Sequence, residues 1–357
     1  MQVTAADVVK SVFVAVWLPF ALVLGIAERL FTGRKDVVSL VPLSIKRAAV
    51  SRLNVESILS SPRFRSVGHE LCEKVERKGL LGYWISQGSL SSRTTPSECD
   101  AVLLYIHGGA YVLGHPLMNV VQLLRISELM SSKGLSISTF SLSYDLAPES
   151  TFPRPFEQAL AAYRYLLEEA HIKPEKIVIC GESAGGHLAL TLLHKLADQQ
   201  IPKPGGAALL FPWVDLSNSG DSFNRNRKND VLQRHELDRA VHWTCGDDGR
   251  KTFADIFDYS TPKSKSYWRG VLPAKTWVGV GSHDLFYDSI EDFVEYARED
   301  GCVVEYDIFE GKTHGYPVML DVLSRKRYLQ LSPEQDVGAL MQGAGMIAKV
   351  LLNLLED

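Results

Sequence analysis

The chain has 357 residues, 46% of them hydrophobic, and a formal net charge of −4 without a block of like charge. That is enough to bury a sizeable core as one large α/β domain with insertions, and it excludes an electrostatic nucleic-acid partner. The five cysteines, Cys72, Cys99, Cys180, Cys245 and Cys302, show no C-x-x-C pair and no His/Cys run of zinc-ligand spacing, so free thiols are expected, with no structural metal and no cofactor.

Residues 11–27 carry no charge, and Lys10 and Glu28-Arg29 close the run. With Val8, Val9 and a snorkelling Lys10 the stretch reaches about the 20 residues that span a bilayer, so residues 1–35 are expected to hold a membrane anchor. The competing readings are a lid helix over an apolar pocket and a signal-peptide core, the latter poorly served by Leu24-Gly25-Ile26-Ala27. Arg29, Arg34 and Lys35 follow the run, which favours the folded domain on the cytosolic side, and the absence of an N-x-[ST] sequon agrees.

Residues 36–357 read as the catalytic domain, with cap elements near 36–65 and 217–266. Helical spacing over 36–63 precedes a strand pair at 70–75 and 80–85, then a polar loop over 86–100. The near-continuous apolar run 101–106 is a strand buried on both faces, as in a parallel sheet. It ends in His107-Gly108-Gly109-Ala110. A helix at 117–130, a strand at 135–142, a helix at 156–170, a strand at 176–180 and a helix from 187 establish β, α alternation. Further strands fall at 207–210, 275–280 and 303–309, with helices at 237–244, 290–298 and 334–355. The long polar stretch 217–266 is a functional insertion rather than a bare loop.

Gly181-Glu182-Ser183-Ala184-Gly185 stands between a strand and a helix. A G-x-S-x-G there forms a nucleophile elbow, in which a strained turn exposes the serine hydroxyl and the glycines let helix and strand approach. Alone the pattern is weak in a chain with 27 glycines. A serine hydroxyl also needs a base, and the base an acceptor that fixes its tautomer. Both follow in order, each after a strand: Asp284 in Ser282-His283-Asp284, and His314 in Thr313-His314-Gly315. Asp288, four residues beyond Asp284, suits the first turn of a helix and is read as a cap. Main-chain N–H groups of Gly108, Gly109 and Ala184 are the expected oxyanion donors. His187, His115, His194, His235 and His242 are read as packing residues, Cys180 as a small apolar one, and the role of Glu182 stays open.

HGGA at 107–110, SYDLAPE at 143–149, GESAGG at 181–186, FPWVDLS at 211–217, SHDLFYD at 282–288 and THGY at 313–316, together and in order, resemble the hormone-sensitive-lipase-like esterases of the α/β-hydrolase fold. The resemblance covers about residues 95–320. It implies a serine carboxylic-ester hydrolase with a mostly parallel twisted sheet, Ser183 as nucleophile, Asp284 as acid, His314 as base and the HGG loop as oxyanion hole. With the amino-terminal run, the chain resembles further the membrane-anchored steryl acetyl hydrolases and arylacetamide-deacetylase-like enzymes. That implies single-pass attachment at the endoplasmic reticulum with a lumenal site, against the charge bias above. Asp145 stands where the family usually has Arg, and Phe211 where Ser is common; both are expected to alter local packing without touching the triad.

The expected substrate is a small apolar molecule: a short-chain acyl ester, acetyl being the favoured acyl group, of a bulky alcohol such as a sterol or secondary metabolite. The alternatives are an amidase such as an arylformamidase on the same triad, or a hydrolase-fold small-molecule receptor, against which the presence of all three triad residues argues.

Overall fold

The computed structural model describes residues 55–86 and 95–356. The expected anchor at 1–35, and the cap residues from 36 to 54, lie outside them. Among the described residues no helix is long and apolar enough to cross a membrane.

Eight strands form one sheet: β1 (Glu73–Arg77), β2 (Leu80–Ser86), β3 (Ala101–Ile106), β4 (Ile137–Ser143), β5 (Ile177–Glu182), β6 (Gly206–Leu210), β7 (Lys275–Gly281) and β8 (Val304–Phe309). Their order is β1-β2-β4-β3-β5-β6-β7-β8. The β1–β2 and β2–β4 pairs are antiparallel and the other five are parallel. This is the α/β-hydrolase fold. The switch of order around β3, β4 and β5 places loops that are distant in sequence at one carboxyl edge, where α/β sheets bind their ligands.

The apolar run of β3 is explained by its neighbours. Val102, Leu104 and Ile106 enter the core on one face of the sheet, and Ala101, Leu103 and Tyr105 the core on the other. Helix α1 (Val120–Ser132) and the closing helix α8 (Gln342–Leu355) pack on the second face. Helices α2 (Arg154–Glu168), α3 (Ala184–Asp198) and α5 (Tyr287–Glu299) cover the first. Burying a single Leu such as Leu188 or Leu192 on α3 contributes about 2 kcal/mol, so both layers are needed.

Helix α4 (Arg234–Cys245) lies within the 217–266 insertion. The carboxyl-terminal part departs from the expected helix over 334–355. Short helices α6 (Val318–Val322) and α7 (Arg325–Leu329) come first, and α8 begins only at Gln342. Gly338 has φ +54 and Met341 φ 57, left-handed backbone that interrupts a right-handed helix. The start of α8 is capped from a distance: Asp321 Oδ1 accepts the Gly343 N–H at 2.8 Å and Oδ2 the Ala344 N–H at 2.7 Å. Hydrophobic spacing cannot report such a cap.

Candidate active site

Ser183 caps α3 with φ 54 and ψ −121, a conformation that costs a non-glycine residue roughly 1–3 kcal/mol. The neighbours hold it there. The Ser183 N–H donates to the Leu210 carbonyl at 3.0 Å, and its own carbonyl accepts from Trp213 N–H at 3.0 Å. A Cβ on Gly181 would lie 2.4 Å from the Gly185 carbonyl oxygen, and one on Gly185 2.1 Å from that of Ile106. Only glycine allows this approach.

The loop after β7 carries Asp284 and the loop after β8 carries His314. The Ser183 hydroxyl is 2.9 Å from His314 Nε2, and His314 Nδ1 is 2.9 Å from Asp284 Oδ2. Asp284 is fully buried, and its Oδ1 accepts the Phe286 N–H at 2.9 Å. A carboxylate is acceptor-only, so Nδ1 carries the proton and Nε2 is free to accept from the serine. Burial, the largest single influence, disfavours the His314 cation, but Asp284, Asp230 and Glu182 outweigh it and hold its pKa above the ordinary histidine value. Asp288, in the first turn of α5, instead accepts the Ser222 N–H at 2.6 Å and pairs with Arg225.

Phe211 corrects an expectation. Its ring meets His314 edge-to-face at a centroid distance of 4.7 Å, so this residue touches the triad rather than affecting packing at a distance. Phe286 flanks the same imidazole at 5.0 Å. Asp145 is remote from the triad: it pairs with Arg154 at 3.1 Å and takes no part in the site.

Glu182 is buried beside the nucleophile. Its Oε1 accepts from the Tyr105 hydroxyl at 2.8 Å, Asn119 Nδ2 at 2.8 Å and the Gly108 N–H at 3.2 Å. Burial pushes its carboxyl above the usual range despite these donors. The expected pairing of Gly108 with Gly109 as oxyanion donors is corrected by that last bond, because a hydrogen-bonded N–H is not presented to the cavity. Among the described residues the N–H groups of Gly109, Ala110 and Ala184 have no protein acceptor. Gly109 has φ +117 and Ala110 φ 53, which turns the chain at this point. His107 stacks on Tyr144 at 4.3 Å, directs Nδ1 to the Gly108 carbonyl at 2.8 Å, and is lowered by burial to about 4. It is a neutral brace for the loop.

Asp230, from the insertion, escaped the sequence reading. It is fully buried, and its oxygens accept the N–H groups of Val231 at 2.7 Å, Leu285 at 2.8 Å and His314 at 2.9 Å. Burial, and then the neighbouring Asp284, push its pKa above the carboxylate range. No motif marks Asn229-Asp230 in a polar stretch.

The triad opens into a cavity of about 490 Å³. Val112, Leu113, Leu237, Trp243 and Val318 make it apolar, and residues of both α4 and α6 line it. His187 lies outside it, buried between elbow helix and insertion. It accepts from the Tyr111 hydroxyl at Nδ1 (2.6 Å) and donates from Nε2 to the Ile256 carbonyl (2.8 Å). The described cysteines are free, and no cluster of metal-ligating side chains occurs among the described residues.

A family profile described as alpha/beta hydrolase fold matches residues 103–318. An acetyl-hydrolase of Streptomyces hygroscopicus is 31% identical over 217 residues, 59% of this chain and 67% of that one. An esterase of Acinetobacter venetianus is 30% identical over 224 residues, 62% of this chain and 69% of the other. A solved esterase of the bacterial hormone-sensitive lipase family superposes with a TM-score of 0.66 at 24% identity, covering 93% of this chain and 95% of that one.

Proposed function

From the premise that this chain belongs to the alpha/beta hydrolase family and is a serine carboxylic-ester hydrolase, we propose that it removes a short acyl group, acetyl above all, from a bulky apolar alcohol through an acyl-enzyme. The observation that carries the reading is the unbroken relay from Ser183 Oγ through His314 to the buried Asp284, each step 2.9 Å, with Ser183 and His314 lining an apolar cavity. Ser183 Oγ attacks the ester carbonyl carbon as its proton passes to His314 Nε2. The carbonyl electron pair moves onto oxygen, which meets the N–H groups of Gly109, Ala110 and Ala184. Collapse expels the alcohol, protonated by His314. Water, deprotonated by the same nitrogen, then attacks the acyl-serine, and carboxylic acid leaves as the proton returns to Ser183.

The volume of the cavity, about 490 Å³, supports a bulky alcohol, and its apolar lining supports a sterol-like one. A protein of Schizosaccharomyces pombe provisionally named a steryl acetyl hydrolase is 25% identical over 205 residues, 54% of this chain and 53% of its own. The uncharged run 11–27 supports attachment to a membrane, the endoplasmic reticulum in this reading.

The test is labelling by a fluorophosphonate followed by a series of p-nitrophenyl esters and anilides. Labelling at Ser183, absent in Ser183→Ala, with kcat/KM falling as the acyl chain lengthens from acetyl and anilides inert, is the expected result. Labelling elsewhere would overturn the mechanism, and anilides cleaved faster than esters would make it an amidase.

A further inference from the structure

Six large apolar side chains stand exposed among the described residues; two of them, Met319 (56%) and Val322 (48%), line the cavity, and two more, Val231 (60%) and Leu323 (92%), are next in the chain to lining residues. Val231 adjoins the lining residue Leu232, and Leu323 follows Val322 out of α6. A scattered surface Leu needs no explanation, but exposed apolar side chains gathered in and beside the lining of an opening mark an interaction site. Charge adds a second observation. Arg325 lines the mouth, and Lys326 and Arg327 are exposed on the next helix. None of the three has an ion-pair partner among the described residues.

We propose that this rim is a lipid-contacting surface. The side chains of Leu323, Val322, Met319 and Val231 enter the interface of a bilayer, and the Arg325–Lys326–Arg327 cluster lies at the depth of anionic lipid phosphates. Apolar tips backed by cations are the pattern of interfacial binding. The geometry favours a bilayer over a protein partner, because a folded protein seated over the mouth would cover the cavity that Ser183 lines, whereas a bilayer supplies what an apolar cavity takes. The inference rests on the ester-hydrolase reading and names the source of its substrate: ester dissolved in membrane enters the cavity without crossing water.

The experiment uses the full chain and two substrates, p-nitrophenyl acetate in buffer and hexadecyl acetate held in vesicles, with acetate release as the readout. Leu323→Glu and the pair Lys326→Glu/Arg327→Glu change residues that do not line the cavity. Each variant should keep its rate on the soluble ester within about twofold and lose on the order of tenfold on vesicles of phosphatidylcholine with phosphatidylglycerol. On pure phosphatidylcholine only Leu323→Glu should lose rate. Vesicle rates unchanged in both variants would overturn the proposal, and so would equal losses on both substrates, which would make the residues structural. A parent enzyme active on p-nitrophenyl acetate but inert toward the vesicle ester would overturn it as well. A parent inactive on p-nitrophenyl acetate would instead bring down the hydrolase reading.

Discussion

Asp230 holds His314 by its main chain: Oδ1 accepts the His314 N–H at 2.9 Å, while Oδ2 takes the N–H of Leu285, the residue after the triad acid. One carboxylate of the insertion thus sets the separation of the two loops that carry acid and base. Asp230→Asn keeps one acceptor oxygen, and Asp230→Ala keeps none, leaving buried N–H groups unpaired at a cost of about 1–3 kcal/mol each. Both should lower kcat on p-nitrophenyl acetate with little change in KM, Ala more than Asn. Assays well below the unfolding temperature separate this from instability. A KM effect with kcat intact would show that Asp230 shapes the cavity instead.

The two nearby acids have separate duties. Asp284→Asn should reduce kcat by about three orders of magnitude or more, because Nδ1 of His314 loses the acceptor that fixes its tautomer. Asp288→Asn breaks the tie between α5 and the Ser222–Arg225 segment and should change kcat less than about tenfold. Steady-state kinetics on both variants would reveal any reversal.

The acid limb of the pH–rate profile reports His314, which must be neutral to accept the serine proton. Its pKa is raised by Asp284, Asp230 and Glu182 against the effect of burial, so activity should fall on acidification at a higher pH than an ordinary histidine would give. Glu182→Gln removes a negative charge while keeping an acceptor for Gly108, Tyr105 and Asn119. The limb should therefore move to lower pH. A shift in the opposite direction would assign the limb to another group.

His187 gives a stability prediction of opposite character. Burial lowers its pKa from 6.5 to about 4 in the fold. Its contribution is therefore complete above the unfolded value, 6.5, and is lost as pH falls from there toward 4, at up to about 1.4 kcal/mol per pH unit. His187→Gln should be less stable at neutral pH yet show a flatter fall of melting temperature between pH 7 and 5. An unchanged slope would mean that His187 already titrates normally.

The positions of the strands, and the strand-end loops that carry Ser183, Asp284 and His314, were legible because their signals are local. A strand buried on both faces shows as an unbroken apolar run, as in β3, and each catalytic residue lies within a few positions of a strand end. The boundaries of α8, the Glu182–Gly108 bond and the contacts of Asp230 with Leu285 and His314 were not legible. Each joins segments far apart in the chain, as Asp321 joins α8 across 22 residues, and no periodicity records such a pair. Ala110 illustrates the gap on a smaller scale: the HGGA motif located the oxyanion loop, but which of its N–H groups is free depends on where a carboxylate from another strand lands.

Asp321 has a consequence for altering the enzyme. It sits at the inner side of α6, buried, where it also accepts from Gln122 of α1 at 2.8 Å, while Met319 and Val322 of the same helix face the opening. The wall is pinned from behind by a residue that never meets substrate. Selection for a different alcohol can therefore recut the front of the helix, position by position, without loosening the body of the protein; loss of Asp321 would do the reverse, sparing every contact with substrate while setting the wall adrift.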